Sequence, residues 1–511
     1  MFCCALALLC AERTCPASSF QHATTLGATP ATQGTSPDLD SAGWTRFRGP
    51  NGSGVSDRHS LPASLGDEHH AWSVDVPLGH SSPVVFDGRI YLSGVENVEA
   101  PEGAHEDLVT LCLELASGKT LWKRAIRRPR KGHFDQRNNA ASPTPCCDAR
   151  GVIVFFPDLG LIAYDASGAE TWRQVLGPFR NVYGMGASPV LEADRVVLVC
   201  DQQEGSFIAA WSRNDGKELW RTERPFALSG HCTPISITGP KTGARRIVAP
   251  GSFYLDVYDI TNGTRDWFVA GLACEMKSTP VTDGTSIYIN GYASPLNQVG
   301  NQVEIDEFRA AIENYDKNEN GQIDKSEAPR NRAMSYFDFV DRNADGALDE
   351  ADWTMLRAAL ASQNGMLAIR IDSATATKET DERVARDLTE TNLRWAYRRP
   401  VPQLPSPLLY RGILYLLADQ SGLLTMLDPT TGDLVERGRL ESGKDNYYAS
   451  PVAGDGKLWL VGESGLVSVV RAGKELETIH AHDLGEACYA TPALVDGRVL
   501  IRSTKRLHCY R

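Results

Sequence analysis

Residues 78–94 read LGHSSPVVFDGRIYLSG and residues 108–124 read LVTLCLELASGKTLWKR, and most of the chain repeats this unit. Four strand-like runs can be marked off. Residues 80–86 lead into the turn Asp87-Gly88, then come 89–93 and 108–113, and the turn Ser117-Gly118 opens a last run that carries Trp122. Alternating apolar residues bounded by Gly, Asp and Ser clusters are the mark of short antiparallel strands. One four-stranded sheet of this size cannot bury both its faces, so copies must stack.

The copies are found by their heads. Ser/Thr-Pro recurs at Pro83, Pro143, Pro189, Pro234, Pro280, Pro407, Pro451 and Pro492, at intervals of 60, 46, 45, 46, 127, 44 and 41 residues. A period near 45 with four strands per unit predicts a β-propeller. The units end in Gly-Lys-x-Leu-Trp or a relative of it: Trp122, Trp172, Trp220, Trp267 and Trp395 close five, while Glu436 and Glu477 stand at that place in the sixth and seventh. The eighth unit, 489–511, stops after three strands, and its missing strand is 70–77 (HAWSVDVP), with Trp72 in the closing position. An N-terminal strand that completes the last blade hides both sheet edges. The expectation is an all-β, eight-bladed propeller over residues 44–511, and a monomer.

Composition agrees with a globular chain: 511 residues, 42% hydrophobic and 23% charged. A net charge of -12 argues against nucleic acid as a partner, because no large basic surface is there to neutralise phosphates. Residues 2–10 (FCCALALLC) form an apolar run of secretory length, too short to span a bilayer. A signal peptide over 1–27, a Pro/Thr/Ser/Gly-rich linker over 28–43, and export to the periplasm or the outside of the cell are expected, without a transmembrane segment. Eight Cys remain beyond the leader, without CxxC spacing, so no zinc site is indicated.

The repeats, quoted above from Pro83 to Trp395, resemble those of quinoprotein dehydrogenases and of the propeller lipoprotein of the outer-membrane assembly machine. The lead segment 44–55, WTRFRGPNGSGV, resembles that of secreted PQQ-binding-like propellers of planctomycete-type bacteria. The resemblance covers nearly all of 44–511. It is specific for the fold and weak for function, since this fold hosts enzymes and scaffolds alike. For the enzymes, it implies a quinone stacked between a Trp and a disulfide of adjacent Cys, with carboxylates and an Asn on calcium and an Asp as base. Cys146-Cys147 is an adjacent pair, but it lies directly before the turn 148–151, and no carboxylate and Asn set of that spacing is evident elsewhere. PQQ is not expected, and the two thiols read as buried groups or an incidental vicinal disulfide.

The interval of 127 residues holds the firmest chemistry. Residues 316–327 read DKNENGQIDKSE and residues 341–352 read DRNADGALDEAD, and both fit the twelve-residue calcium loop of an EF-hand. In the first, Asp316, Asn318 and Asn320 offer oxygens at positions 1, 3 and 5. Gln322 gives a carbonyl at 7, Asp324 acts at 9, and Glu327 is the bidentate ligand at 12. The second offers Asp341, Asn343, Asp345, the Ala347 carbonyl, Asp349 and Asp352, whose shorter side chain predicts weaker calcium binding. Ile323 and Leu348 take the apolar eighth position, where paired loops touch. Helices are expected over 304–315 and 353–360. Residues 304–357 carry 14 acidic and 7 basic side chains, a net -7, which a bound cation would relieve.

This pair, inserted over 300–364, replaces the second-to-third strand connection of blade five. That places it beside the inter-blade loops bearing His80, Asn139, Tyr183, His231, Lys277, Tyr448 and Tyr489, where a protein or small-molecule ligand is expected. The sequence therefore reads as an exported, calcium-binding, non-enzymatic binding or scaffolding propeller. The alternative is a PQQ-dependent oxidoreductase of the quinoprotein alcohol dehydrogenase kind.

Overall fold

The computed structural model describes residues 43–101, 103–239, 243–371 and 385–511. The leader and nearly all of the linker lie outside them. The described chain forms eight antiparallel blades. Blade one is Val84–Phe86, Arg89–Val98, His105–Glu114 and Thr120–Arg127. Blade eight is Ala493–Val495, Arg498–Arg502 and Arg506–Tyr510, completed by His70–Asp75 with Trp72 opposite Cys509. Inner strands are covered on both faces by neighbouring blades and therefore read as apolar runs. Gly151–Phe156 and Gly160–Tyr164 are buried throughout, whereas the outer strand Glu218–Glu223 buries Trp220 alone.

The Ser/Thr-Pro heads have a mechanical role. The backbone N–H of Ser82 donates to Thr144 Oγ1 (3.0 Å), Thr144 to Ser188 Oγ (2.9 Å) and Ser188 to Thr233 Oγ1 (3.1 Å). Thr279 donates to Ser406, Ser406 to Ser450, Ser450 to Thr491, and Thr491 back to Ser82. Seven of the eight blades thus lend a hydroxyl to the buried amide of a neighbour around the axis, where an unpaired N–H would be costly. This belt corrects one repeat boundary. In blade two the head is Thr144-Pro145, because the strand Cys146–Asp148 begins immediately after Pro145, and Pro143 lies two residues earlier.

The closing Trp residues work between blades. Their Nε1 atoms donate to a carbonyl of the next blade: Trp122 to Ala166 (3.1 Å), Trp172 to Arg213 (3.0 Å), Trp220 to Ile260 (2.9 Å). Each ring lies against the turn Gly of that neighbour. A Cβ on Gly216 would come within 2.5 Å of Trp172, and one on Gly263 within 2.3 Å of Trp220. The Gly and Trp that recur in Gly-Lys-x-Leu-Trp are therefore partners across a seam, not within a blade. A second correction follows for blade seven. Gly473 is not in the left-handed conformation that Gly118, Gly168, Gly216, Gly263 and Gly432 adopt, the last strand enters later, and His480 rather than Glu477 stands opposite Val469 in the Trp position.

The lead segment seals one end of the axis. Gly43–Trp44 pairs with Val85 and Phe86 of blade one, and Thr45 accepts from Cys147 N of blade two. Asn51 bonds both backbone groups of Ser236 in blade four, and Val55 bridges to Ala453 in blade seven. Arg48 is fully buried, with one Nη donating to the carbonyl of Pro407 at 2.8 Å. It has no carboxylate partner among the described residues, and burial pulls its guanidinium down to about 9.

Between the second strand of blade five, Ser286–Gly291, and the third, Gly365–Arg370, lies a helical insert. It comprises the helix Phe308–Tyr315, a short turn of helix at Phe337–Val340 and the helix Glu350–Ala361. The first helix starts at Phe308, four residues later than the sequence suggested, so residues 304–307 are not helical. Ile323 and Leu348 face each other in a two-residue antiparallel pairing.

Candidate functional site

Opposite the plug, the inter-blade loops enclose a cup of about 200 Å³, with Phe47 of the plug among its lining residues. His80, Tyr183, His231, Lys277, Tyr448 and Tyr489 all line it, as the repeat reading expected. Asn139 does not: its side chain caps its own loop by accepting from Ala141 N (2.8 Å), and Asn138 reaches the cup instead.

One wall is a stack of rings. His80 lies on Tyr489 at 4.3 Å between centroids and Tyr489 on Tyr448 at 5.4 Å, both near parallel. Tyr489 OH donates to Glu463 (3.0 Å), and burial with this bond pushes its phenol up to about 12. In the opposite wall Tyr183 and Lys277 are joined from behind by Glu275, which does not line the cup. Tyr183 OH donates to Glu275 at 3.1 Å, Lys277 pairs with the same carboxylate, and its Nζ sits 4.9 Å from the Tyr183 ring centre. Burial foremost, then the Glu275 charge, raises the Tyr183 phenol.

Both histidines are held neutral. Burial, helped by Lys277 and Arg137, lowers His231 to about 3, and burial with Arg502 lowers His80 to about 4. His80 Nδ1 and His231 Nε2 are buried without a hydrogen-bond partner among the described residues. Arg137 pairs with Asp135 at 2.6 Å, and that bond lowers the carboxyl and raises the guanidinium. The sequence reading missed Asp135, Arg137 and Glu275. For Asp135 and Arg137 the clue was the long first interval, whose surplus is shared between the extended hairpin 89–114 and the basic run 127–138 leading into blade two.

Cys146 and Cys147 are free, buried and absent from the cup. They point to opposite faces of their strand, Cys146 among Phe155 and Trp211, Cys147 among Tyr91 and Trp122. Burial raises both thiols, Cys146 to about 12. The quinone constellation implied by the resemblance is thus not gathered around this cavity.

The acidic loops of the insert close on themselves. Asp316 accepts from Asn320 N (3.1 Å) and Gly321 N (2.8 Å), Asn318 and Asn320 both reach Asp324 Oδ2, and Glu327 accepts from Asp324 N and Lys317 N (3.1 Å each). In the second loop Asp341 accepts from Gly346 N (3.0 Å), Asn343 from Asp345 N, and Asp345 from Ala347 N. Asp349 caps the following helix through Asp352 N. Gly321 and Gly346, at position 6 of each loop, have φ of 80° and 85°, which a side chain would resist. Asp341 Oδ1 is buried with no partner among the described residues. Asp352 is partly engaged already, since Arg342 Nε donates to it at 2.8 Å. Among the described residues no three His, Cys, Asp or Glu side chains form a metal-holding group; loops of this kind also draw on Asn and backbone oxygens.

The fold and the cup define a closed eight-bladed propeller with a plugged axis. Residues 157–291 match the sequence profile of the family described as outer membrane protein assembly factor BamB, so that stretch resembles the PQQ-like repeat of this family. A europium-containing methanol dehydrogenase superposes with a TM-score of 0.53 at 11% identity, covering 91% of this chain and 90% of that one. The quinohemoprotein alcohol dehydrogenase ADHIIG from Pseudomonas putida HK5 does so with 0.50 at 13%, covering 92% and 80%. BamB from Moraxella catarrhalis gives 0.47 at 11%, covering 85% and 99%. At such identities the first two establish the fold alone. No curated protein sequence matches the chain.

Proposed function

We propose that the protein is an exported, calcium-binding propeller that works as a binding or scaffolding module and not as an enzyme. The observation that carries the calcium reading is the pair of loops joined at Ile323 and Leu348, with a buried, unpartnered carboxylate oxygen on Asp341. Asp316, Asn318, Asn320, the Gln322 carbonyl, Asp324 and Glu327 would hold the first ion. Asp341, Asn343, Asp345, the Ala347 carbonyl, Asp349 and Asp352 would hold the second more weakly, because Arg342 competes for Asp352. Affinities of about 10⁻⁴–10⁻³ M suffice outside the cell. Export is supported by the apolar leader, and no helix among the described residues is long and apolar enough to cross a membrane.

The cup supports a ligand-binding role. Its lining holds no thiol, and Asp135, its only lining carboxylate among the described residues, is committed to Arg137. Calorimetry with calcium on the wild type, Glu327→Gln and Asp341→Asn tests the metal claim. We expect each variant to lose one site or about tenfold in its affinity, near 1.4 kcal/mol; identical titrations for all three would end it. Dye reduction after adding PQQ and calcium tests the enzymatic alternative, and turnover would overturn the binding-module reading.

A further inference from the structure

The insert is fastened to the cup at two points, and both lead to the same wall. The first is Gln203, on the second-to-third strand connection of blade three. Its side-chain amide donates to the carbonyls of Asp338 (2.9 Å) and Asp341 (3.2 Å), the latter being the first ligand position of the second loop. Its backbone N–H donates to Arg180 O at 2.7 Å. The adjoining Asn181 spans to Asp201 O and accepts from Tyr183 N (3.0 Å), fixing the approach to Tyr183.

The second is the helix Glu350–Ala361. Its start carries two ligand positions of the same loop, Asp349 as the capping residue and Asp352 in the first turn. Its end is capped by Ser362, whose Oγ accepts from Cys274 N at 3.1 Å, one residue before Glu275. The two fastenings therefore meet where Tyr183, Glu275 and Lys277 touch. A helix moves as a rigid element, so a shift at its first turn is delivered at its cap.

We propose that cation binding in the second loop sets the position of Tyr183 and Lys277 in the cup wall, so that the insert regulates what the cup admits. The inference rests on the calcium reading above. Linkage makes it reciprocal: a ligand that prefers the calcium-set wall tightens calcium binding by the same factor.

Amide hydrogen exchange on the full chain, with calcium alone as the probe, tests it. Calcium should slow exchange over 180–183 and 274–277 by about fivefold or more, the lower end of ordinary coupling. Gln203→Leu should keep the calcium affinity yet lose the effect at 180–183, and Ser362→Ala should lose it at 274–277. Protection confined to 308–361, or unchanged by either variant, would overturn the coupling while leaving the calcium reading intact. Absence of any heat of binding would remove the calcium reading itself, and the coupling with it.

Discussion

The seam between blades two and three and the seam between blades seven and eight solve one problem with different chemistry. At the first, Trp172 lies against Gly216 and donates to the Arg213 carbonyl. At the second, the corresponding place holds His480, half-buried, with an Nε2 that has no partner among the described residues. The intermediate case is the seam between blades six and seven, where Glu436 accepts from Leu476 N at 2.8 Å. A buried Trp removes about 150–250 Å² from water, worth at most about 4–6 kcal/mol. At this outer position the ring thus uses burial at some seams and polar contacts at others, while the inner strands of blades seven and eight still share one apolar core.

The sharpest way to break this contrast is truncation on both sides of it. Trp172→Ala should cost about 3–5 kcal/mol in urea unfolding, and His480→Ala no more than about 1 kcal/mol; equal losses would show the seams to be equivalent. Gly216→Ala comes next, at about 1–3 kcal/mol, because its φ is 71° and the added Cβ would meet the Trp172 ring at 2.5 Å. At Gly473, which has open space around it and no left-handed φ, the same change should be nearly neutral.

Acid should act on the polar seam as it acts on the cup, where His80 and His231 are depressed in the same way. Burial lowers His508 to about 4, with Arg506, His70 and His482 acting in the same direction and Glu486 against. His482 is lowered too, mainly by burial and by His480. A base whose folded value is depressed leaves stability whole above its unfolded value, about 6.5, and erodes it as pH falls towards the folded one. Stability should therefore drop between pH 6.5 and 4, and His508→Gln should flatten that slope by up to about 1.4 kcal/mol per pH unit, read from urea midpoints across the window. An unchanged slope would remove His508 from the account. The smallest effect is expected of Glu436→Gln, which keeps an acceptor for Leu476 N and should shift stability by less than about 0.5 kcal/mol.

The sequence disclosed the ring well because its period is written in residues that each do one physical task. Pro and the hydroxyl before it mark the belt, and Gly and Trp mark a seam. It misplaced the repeat where a marker persisted without its geometry, at Pro143 and at Glu477. Gly473-Lys-Glu-Leu-Glu keeps the spelling of the motif, but its turn has a different backbone and shifts the strand. The cup was half legible: His80, His231 and the tyrosines sit at repeat positions, whereas Asp135 and Arg137 belong to an irregular loop without a counterpart elsewhere. The fastenings of the insert were not legible at all, since Gln203 and Ser362 are ordinary surface letters that gain meaning only from what lies across the gap.

The plug has a consequence for the order of assembly. Residues 44–55 and His70–Asp75 leave the ribosome well before their partners Pro407, Ala453 and the strand Arg506–Tyr510. Sealing the axis and completing blade eight must both wait for the far end of the chain, and contacts so distant in sequence form slowly. A nascent or truncated chain that lacks its final blades has neither a floor to its cup nor a closed circumference. In that state the cup is not yet assembled, so its wall and floor come together only after the strand Arg506–Tyr510 has been made.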